Sequence, residues 1–215
     1  MIIEAKDGSS KTSCFTTLAA NIVHKNINLK SGAVVILTPK AEDVYKIQKI
    51  VEALIDFPVL AIGGDESRDT KLGLFYPIIV AVPQQFLQFL ENKMVSMEDI
   101  EMVIISKADL FSEATIQYHL KPIISSTYPS KTQYALFSNK NNSKKMIDCF
   151  VGYMKETILV QLGIDQVTLN VGAGIQKYPK SEIKNRRSQS FDENKNYKTV
   201  VQNSGLSDSP VIDTI

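Results

Sequence analysis

Short apolar runs rich in β-branched residues alternate along the chain with helical apolar spacings, and most of the runs stop at a polar or Gly/Pro cluster. Met1-Ile2-Ile3 reads as the end of one strand, and Cys14 to His24 as a helix. Val34-Val35-Ile36-Leu37 ends at Thr38-Pro39 and is followed by the helical spacing Val44, Ile47, Ile50, Val51, Leu54. Pro58 to Ile62 ends at Gly63-Gly64. Ile78 to Val82 precedes Pro83 and a helix carrying Phe86, Leu87, Phe89 and Leu90. Met102 to Ile105 precedes a polar turn and a helix around Ile116 to Ile124. Tyr134 to Phe137 precedes the polar run Ser138 to Lys145 and a helix from Met146 to Met154, and Ile158 to Leu162 is the last strand-like run. Runs apolar on both faces and separated by helices predict an α/β fold, a mainly parallel sheet between two helical layers. Ligands in such folds bind at the carboxyl ends of the strands, where these polar clusters lie. Residues 1–177 are expected to form this domain. From Tyr178 onward Lys, Asn, Ser, Arg and Asp dominate, and residues 178–215 are expected to be a disordered tail. Its basic start, Lys177, Lys180, Lys184, Arg186 and Arg187, reads as an RNA-facing or import patch or as a solvated tail.

Between the first run and the first helix stands Ala5-Lys6-Asp7-Gly8-Ser9-Ser10-Lys11-Thr12, an incomplete phosphate-binding loop. The full pattern is G-x-x-x-x-G-K-[ST], or A-x-x-G-x-G-K-T in a variant form. Gly8, Lys11 and Thr12 are in place, and Ser10 takes the position of the last glycine. In a loop of this kind backbone N–H groups converge on the phosphates at the positive end of the next helix. Lys11 supplies a point charge, and the Thr12 hydroxyl faces Mg²⁺. A left-handed backbone at Ser10 costs roughly 1–2 kcal/mol, and the Asp7 carboxylate repels an anion. Nucleotide binding is expected to be weakened by both. The competing reading is a polar turn ahead of a helix; the position between an apolar strand end and a helix favours the phosphate loop.

With 215 residues and 44% hydrophobic content the chain can bury one ordinary core. A net charge of +1 gives no global electrostatic attraction for nucleic acid, so any basic patch must be local. Cys14 and Cys149 lie far apart with only His24 and His119 to help them, so no metal site is expected. Both cysteines fall in apolar helical patterns and are expected in the core. No signal peptide or membrane-length apolar run is visible, which predicts no membrane partner and a cytoplasmic or nuclear location.

The order of these elements resembles the first RecA-like domain of a DEAD-box RNA helicase, from Met1 to about Lys177, a three-layer P-loop fold. Ala5 to Thr12 matches the nucleotide loop, and Leu37-Thr38-Pro39-Lys40-Ala41-Glu42 is similar to the P-T-R-E-L segment. Gly63-Gly64 matches the paired glycines, and Val82-Pro83-Gln84-Gln85 stands where T-P-G-R is expected. Ser106-Lys107-Ala108-Asp109 stands at D-E-A-D, and Ser138-Asn139-Lys140 at S-A-T. Within the family, Ile2 to Gly8 is most similar to the DEAD-box subunit of the SMN complex; the tudor-containing DEAD-box-like proteins of germline RNA silencing are a less specific likeness.

The resemblance implies ATP as ligand, Mg²⁺ as its counter-ion and RNA as partner, and the departures qualify each. In the family the first Asp of D-E-A-D holds Mg²⁺ through water and the Glu activates the attacking water. Ser106 and Lys107 can do neither, so hydrolysis is expected to be weak or absent and Mg²⁺ is doubtful; Lys107 could neutralise the triphosphate instead. Asp109 either bonds Ser138, which in the family couples the nucleotide and RNA sites, or caps a helix before Leu110. Pro39, Lys40, Gly63, Gly64 and Pro83 remain as RNA-contact positions, but Ala41, Gln84 and Gln85 replace residues that would grip phosphate. RNA affinity is therefore expected to be weak, and Phe86 and Phe89 are expected in the core. The adenine-reading segment and the second RecA-like domain are expected to be missing. These features predict a degenerate helicase domain acting as a nucleotide-, RNA- or protein-binding module in a ribonucleoprotein complex. The alternatives are a helicase fragment completed by a missing second domain, and an unrelated P-loop phosphotransferase, which the scarcity of arginines before the tail disfavours.

Overall fold

Among the described residues the strands are β1 (Ile2–Ala5), β2 (Val34–Leu37), β3 (Val59–Ile62), β4 (Ile78–Ala81), β5 (Met102–Ile105), β6 (Gln133–Ser138), β7 (Ile158–Leu162), β8 (Gln166–Val171) and β9 (Gly174–Pro179). They form one sheet in the order β3-β4-β2-β5-β6-β1-β7-β8-β9. This is a computed structural model, and it describes residues 1–25, 30–64, 75–127, 131–139, 158–162, 166–171 and 174–179. Strands β1 to β7 run parallel, while β8 and β9 add an antiparallel hairpin beyond β7. The sheet is thus mainly parallel, as the apolar runs predict.

The two faces are filled by alternate residues of the same strands, as the period of two requires. Val34 and Ile36 of β2 and Ile104 of β5 pack beneath α1 (Lys11–Lys25) and α2 (Ala41–Glu52), whose Phe15, Ala19, Val44, Ile47 and Val51 cover that face. Val35, Leu37, Val103 and Ile105 face α3 (Pro83–Glu91) and a second helical segment through Phe86, Ile116, Leu120 and Ile123. That segment is a short α turn, α4 (Glu113–Thr115), a π turn (Ile116–Leu120) and α5 (Lys121–Ser126). The Lys121 N–H bonds the Ile116 carbonyl five residues back, which marks the π turn. Three layers result, the RecA-like α/β architecture.

Several expectations meet differences or limits here. Cys14 is exposed, not in the core; the buried stripe of α1 is Phe15, Thr16, Ala19, Ala20 and Val23, so Cys14 falls just outside it. Strands β8 and β9 extend the sheet to Pro179, past the apolar runs read from the sequence. The described residues belong to one compact unit, Met1–Lys180. Of the tail expected over 178–215, Tyr178 and Pro179 belong to β9, while its remainder, the helix expected from Met146 to Met154 and Cys149 lie outside the described residues.

Candidate nucleotide and RNA site

The chemistry-bearing turns all leave the carboxyl ends of parallel strands, and the strand order sorts them. The segments after β1, β5 and β6 lie side by side, and those after β3, β4 and β2 lie side by side; β2 and β5 are neighbours at the boundary.

The loop after β1 closes with Ser9 N–H donating to the Lys6 carbonyl at 3.3 Å, and the Ser10 carbonyl starts α1 by accepting from Cys14 N–H at 3.0 Å. Gly8 has φ +74° and Ser10 φ +60°. Ser10 therefore does adopt the left-handed conformation that a glycine would take without a steric cost. Lys11 folds back into the loop. Its ammonium donates to the carbonyls of Ala5 at 2.7 Å and Lys6 at 2.8 Å and to Asn139 Oδ1 at 3.0 Å. The Asp7 carboxylate lies 3.8 Å away but is almost wholly exposed, so that pair adds little. Residues 7–12, Phe15, Ser106, Lys107 and Phe137 line a cavity of about 300 Å³. Its apolar side is the tilted ring pair Phe15–Phe137, with centroids 5.3 Å apart.

At the end of β5 the Ser106 N–H prolongs the sheet pairing by donating to the Leu37 carbonyl at 2.9 Å, and its side chain is buried. Lys107 is left-handed (φ +51°, ψ +47°) and its carbonyl accepts from Leu110 N–H at 2.9 Å, closing the 3₁₀ turn Ala108–Leu110. Ala108 is buried under the turn. The Lys107 ammonium reaches across the boundary to Asp43 in the first turn of α2, donating to Oδ1 at 2.9 Å and Oδ2 at 2.8 Å. Asp109 Oδ1 accepts from Ser138 Oγ at 3.3 Å and from Asn139 N–H at 3.0 Å. It does not cap the following helix; Ser112 does, accepting from Thr115 N–H at 3.1 Å.

The positions expected to contact RNA follow β2, β3 and β4. Pro39 is half-buried and Lys40 exposed, the latter standing in an extended conformation at the head of α2. Gly63 packs against Tyr45, where a Cβ would meet ring atoms at 3.1–3.3 Å; a Cβ on Gly64 would meet nothing within 4 Å. The close approach at Gly63 thus has a packing cause. Pro83 is buried at the start of α3, Phe86 is fully buried and Phe89 packs against the core, so neither ring is a stacking platform. His24 is exposed and bonds the Leu54 carbonyl at 3.1 Å. His119 is half-buried in the π turn.

Among the described residues no group of three or more His, Cys, Asp or Glu could hold a metal ion. Around the cavity Thr12 and Ser106 offer hydroxyls and Asp7 an exposed carboxylate beside Lys11, while Asp43 is paired with Lys107 and Asp109 already accepts two hydrogen bonds. That donor set, with an ammonium where a carboxylate is needed, does not fit the Mg²⁺ of an ATP site. Two partners escaped the sequence reading: Asp43, which the Glu42-Asp43 pair in a first helical turn could have suggested, and Asn139 as a partner of Lys11.

Residues 1–143 match the model of the DEAD/DEAH box helicase family, and the chain belongs to that family. It is 35% identical over 155 residues to the ATP-dependent RNA helicase DRS1 of Kluyveromyces lactis, covering 67% of this chain and 20% of that protein. It is 28% identical over 184 residues to the ATP-dependent RNA helicase eIF4A of Eremothecium gossypii, covering 83% of this chain and 45% of the relative. The chain therefore spans less than half the length of these curated relatives. In fold it is similar to a DEAD box protein from the hyperthermophile Methanococcus jannaschii, with TM-score 0.66 and 19% identity over 76% of this chain and 45% of the other. The domain corresponds to the first RecA-like domain of the DEAD-box family and is homologous to ATP-dependent RNA helicases.

Proposed function

We propose that this domain is a degenerate DEAD-box module that binds nucleotide weakly, hydrolyses it weakly or not at all, and serves as an RNA- or protein-contacting part of a ribonucleoprotein complex. The observation that carries the reading is the ion pair of Lys107, at the position of the family's catalytic Glu, with Asp43. An ammonium has no lone pair with which to take a proton from water, and loss of a general base costs about 10²–10⁴-fold. The retained phosphate loop, with Lys11 and Thr12 at one cavity, supports residual nucleotide binding. Lys40 and Gly64 on the neighbouring strand ends support weak backbone contact with RNA, whereas Pro83 is buried and does not. The likeness of Ile2 to Gly8 to the DEAD-box subunit of the SMN complex suggests the kind of assembly, in the cytoplasm or nucleus. No helix among the described residues is long and apolar enough to cross a membrane.

The test is ATP and ADP calorimetry on the 215-residue chain beside Lys11→Ala, together with phosphate release in the presence of single-stranded RNA. Binding that Lys11→Ala removes, without turnover, is the expected result. Turnover that Lys11→Ala abolishes would refute the loss of hydrolysis. A second reading, a helicase completed by a second RecA-like domain, is favoured by the chain's covering 20–45% of its curated relatives; RNA-stimulated turnover on adding such a domain would support it.

A further inference from the structure

We infer that Lys107 is the counter-cation for a metal-free nucleoside triphosphate, and that Asp43 competes with the terminal phosphate for it. The inference rests on the nucleotide binding proposed above and specifies the charge state of the ligand. Lys107 lines the same cavity as the phosphate loop, so its ammonium and that of Lys11 are the two cations at one polyanion-sized space. The carboxylate that lines the cavity, Asp7, is almost wholly exposed and lies 3.8 Å from the Lys11 ammonium, and Asp43 is paired with Lys107. A polyphosphate entering here meets ammonium groups where the family's ligand meets a metal.

The ion pair is built to open from one side only. The Lys107 side chain is 43% exposed and that of Asp43 13%. Lys107 can therefore leave without giving up a buried position, on a flexible four-carbon stem. Its backbone stays fixed, because Ser106 N–H is bonded to β2 and the Lys107 carbonyl closes the 3₁₀ turn. Asp43 remains in the first turn of α2, where the positive end of the helix stabilises an unpaired carboxylate. The carboxylate thus acts as an internal stand-in for phosphate, and nucleotide affinity falls by the cost of displacing it.

The experiment is calorimetric titration of the full chain with ATP, in EDTA and again with excess MgCl₂, using wild type, Asp43→Asn, Lys107→Ala and Lys11→Ala. In EDTA, Asp43→Asn is expected to bind ATP about fivefold more tightly, which is ~1 kcal/mol, and Lys107→Ala about fivefold more weakly. Wild type is expected to gain nothing from Mg²⁺. Tighter binding cannot come from damaged folding, so Asp43→Asn keeps the test decisive even if Lys107→Ala is destabilised. The inference is overturned if Mg²⁺ tightens wild-type binding tenfold, or if Asp43→Asn matches wild type. Should Lys11→Ala lose ATP while Asp43→Asn and Lys107→Ala behave as wild type, the nucleotide module stands and the Lys107 role falls. Absence of nucleotide binding in every version overturns both.

Discussion

Ser10→Gly should stabilise the protein, and Gly8→Ala should destabilise it by a similar amount. Ser10 sits at φ +60°, where an L-residue is disfavoured by about 1–2 kcal/mol. Glycine removes that penalty but adds roughly 0.5–1 kcal/mol of unfolded-chain freedom. The net expectation is a gain of about 0.5–1 kcal/mol. Gly8 is the mirror case: its φ is +74°, and a Cβ there would meet nothing within 4 Å, so alanine brings backbone strain without a clash. The same terms with opposite sign give a loss of about 0.5–1 kcal/mol. Urea unfolding with a common m-value measures both, and a change of ~1 kcal/mol corresponds to about 2–4 °C in Tm for a chain of this size. The double variant should return close to wild type. If Gly8→Ala costs the expected amount while Ser10→Gly is neutral or destabilising, the serine side chain must offset its own strain, and the reasoning fails.

Two further outcomes follow, one from a buried hydroxyl and one from a half-buried carboxylate. Burial raises the Tyr134 hydroxyl from 10.0 to about 12; above about pH 10 the unfolded chain has therefore lost a proton that the folded chain keeps. Stability should fall between about pH 10 and 12, and tyrosinate absorbance read beside urea midpoints should show Tyr134→Phe abolishing that component. Asp109→Ala takes the acceptor from Ser138 Oγ and Asn139 N–H and should cost about 1–2 kcal/mol, whereas Asp109→Asn, which keeps an acceptor oxygen, should lose clearly less in the same assay.

The parallel strands were legible because each is apolar on both faces and ends at a polar cluster. Val34 to Leu37 is wholly buried and stops at Thr38-Pro39, where the run also stops in sequence. The β8–β9 hairpin was missed although Val167, Leu169 and Val171 alternate and Gly172-Ala173 separates the strands. That period-two signal is weaker than a continuous apolar run. Cys14 shows the limit of side-chain polarity as a guide. Thr16 is the buried one, because its hydroxyl donates to the Thr12 and Ser13 carbonyls and so enters the core satisfied. Lys107 and Asp43 are 64 residues apart, and no local spacing connects them. They meet only because β2 and β5 are neighbours, a fact of topology that a linear reading of the loops does not contain. Ser10 is the opposite case, since the motif alone places it where a left-handed backbone is required.

The π turn at Ile116–Leu120 bears on how this chain should be aligned with its relatives. A bond from residue 121 to residue 116 closes a loop one residue longer than an α turn does. The segment between Glu113 and Ser126 therefore accommodates an extra residue while Ile116, Leu120, Ile123 and Ile124 all stay buried. A relative with a plain α-helix here would be one residue shorter and keep the same buried contacts. Forcing gap-free columns through 116–120 would then match exposed positions of one protein to core positions of the other, and would understate their kinship.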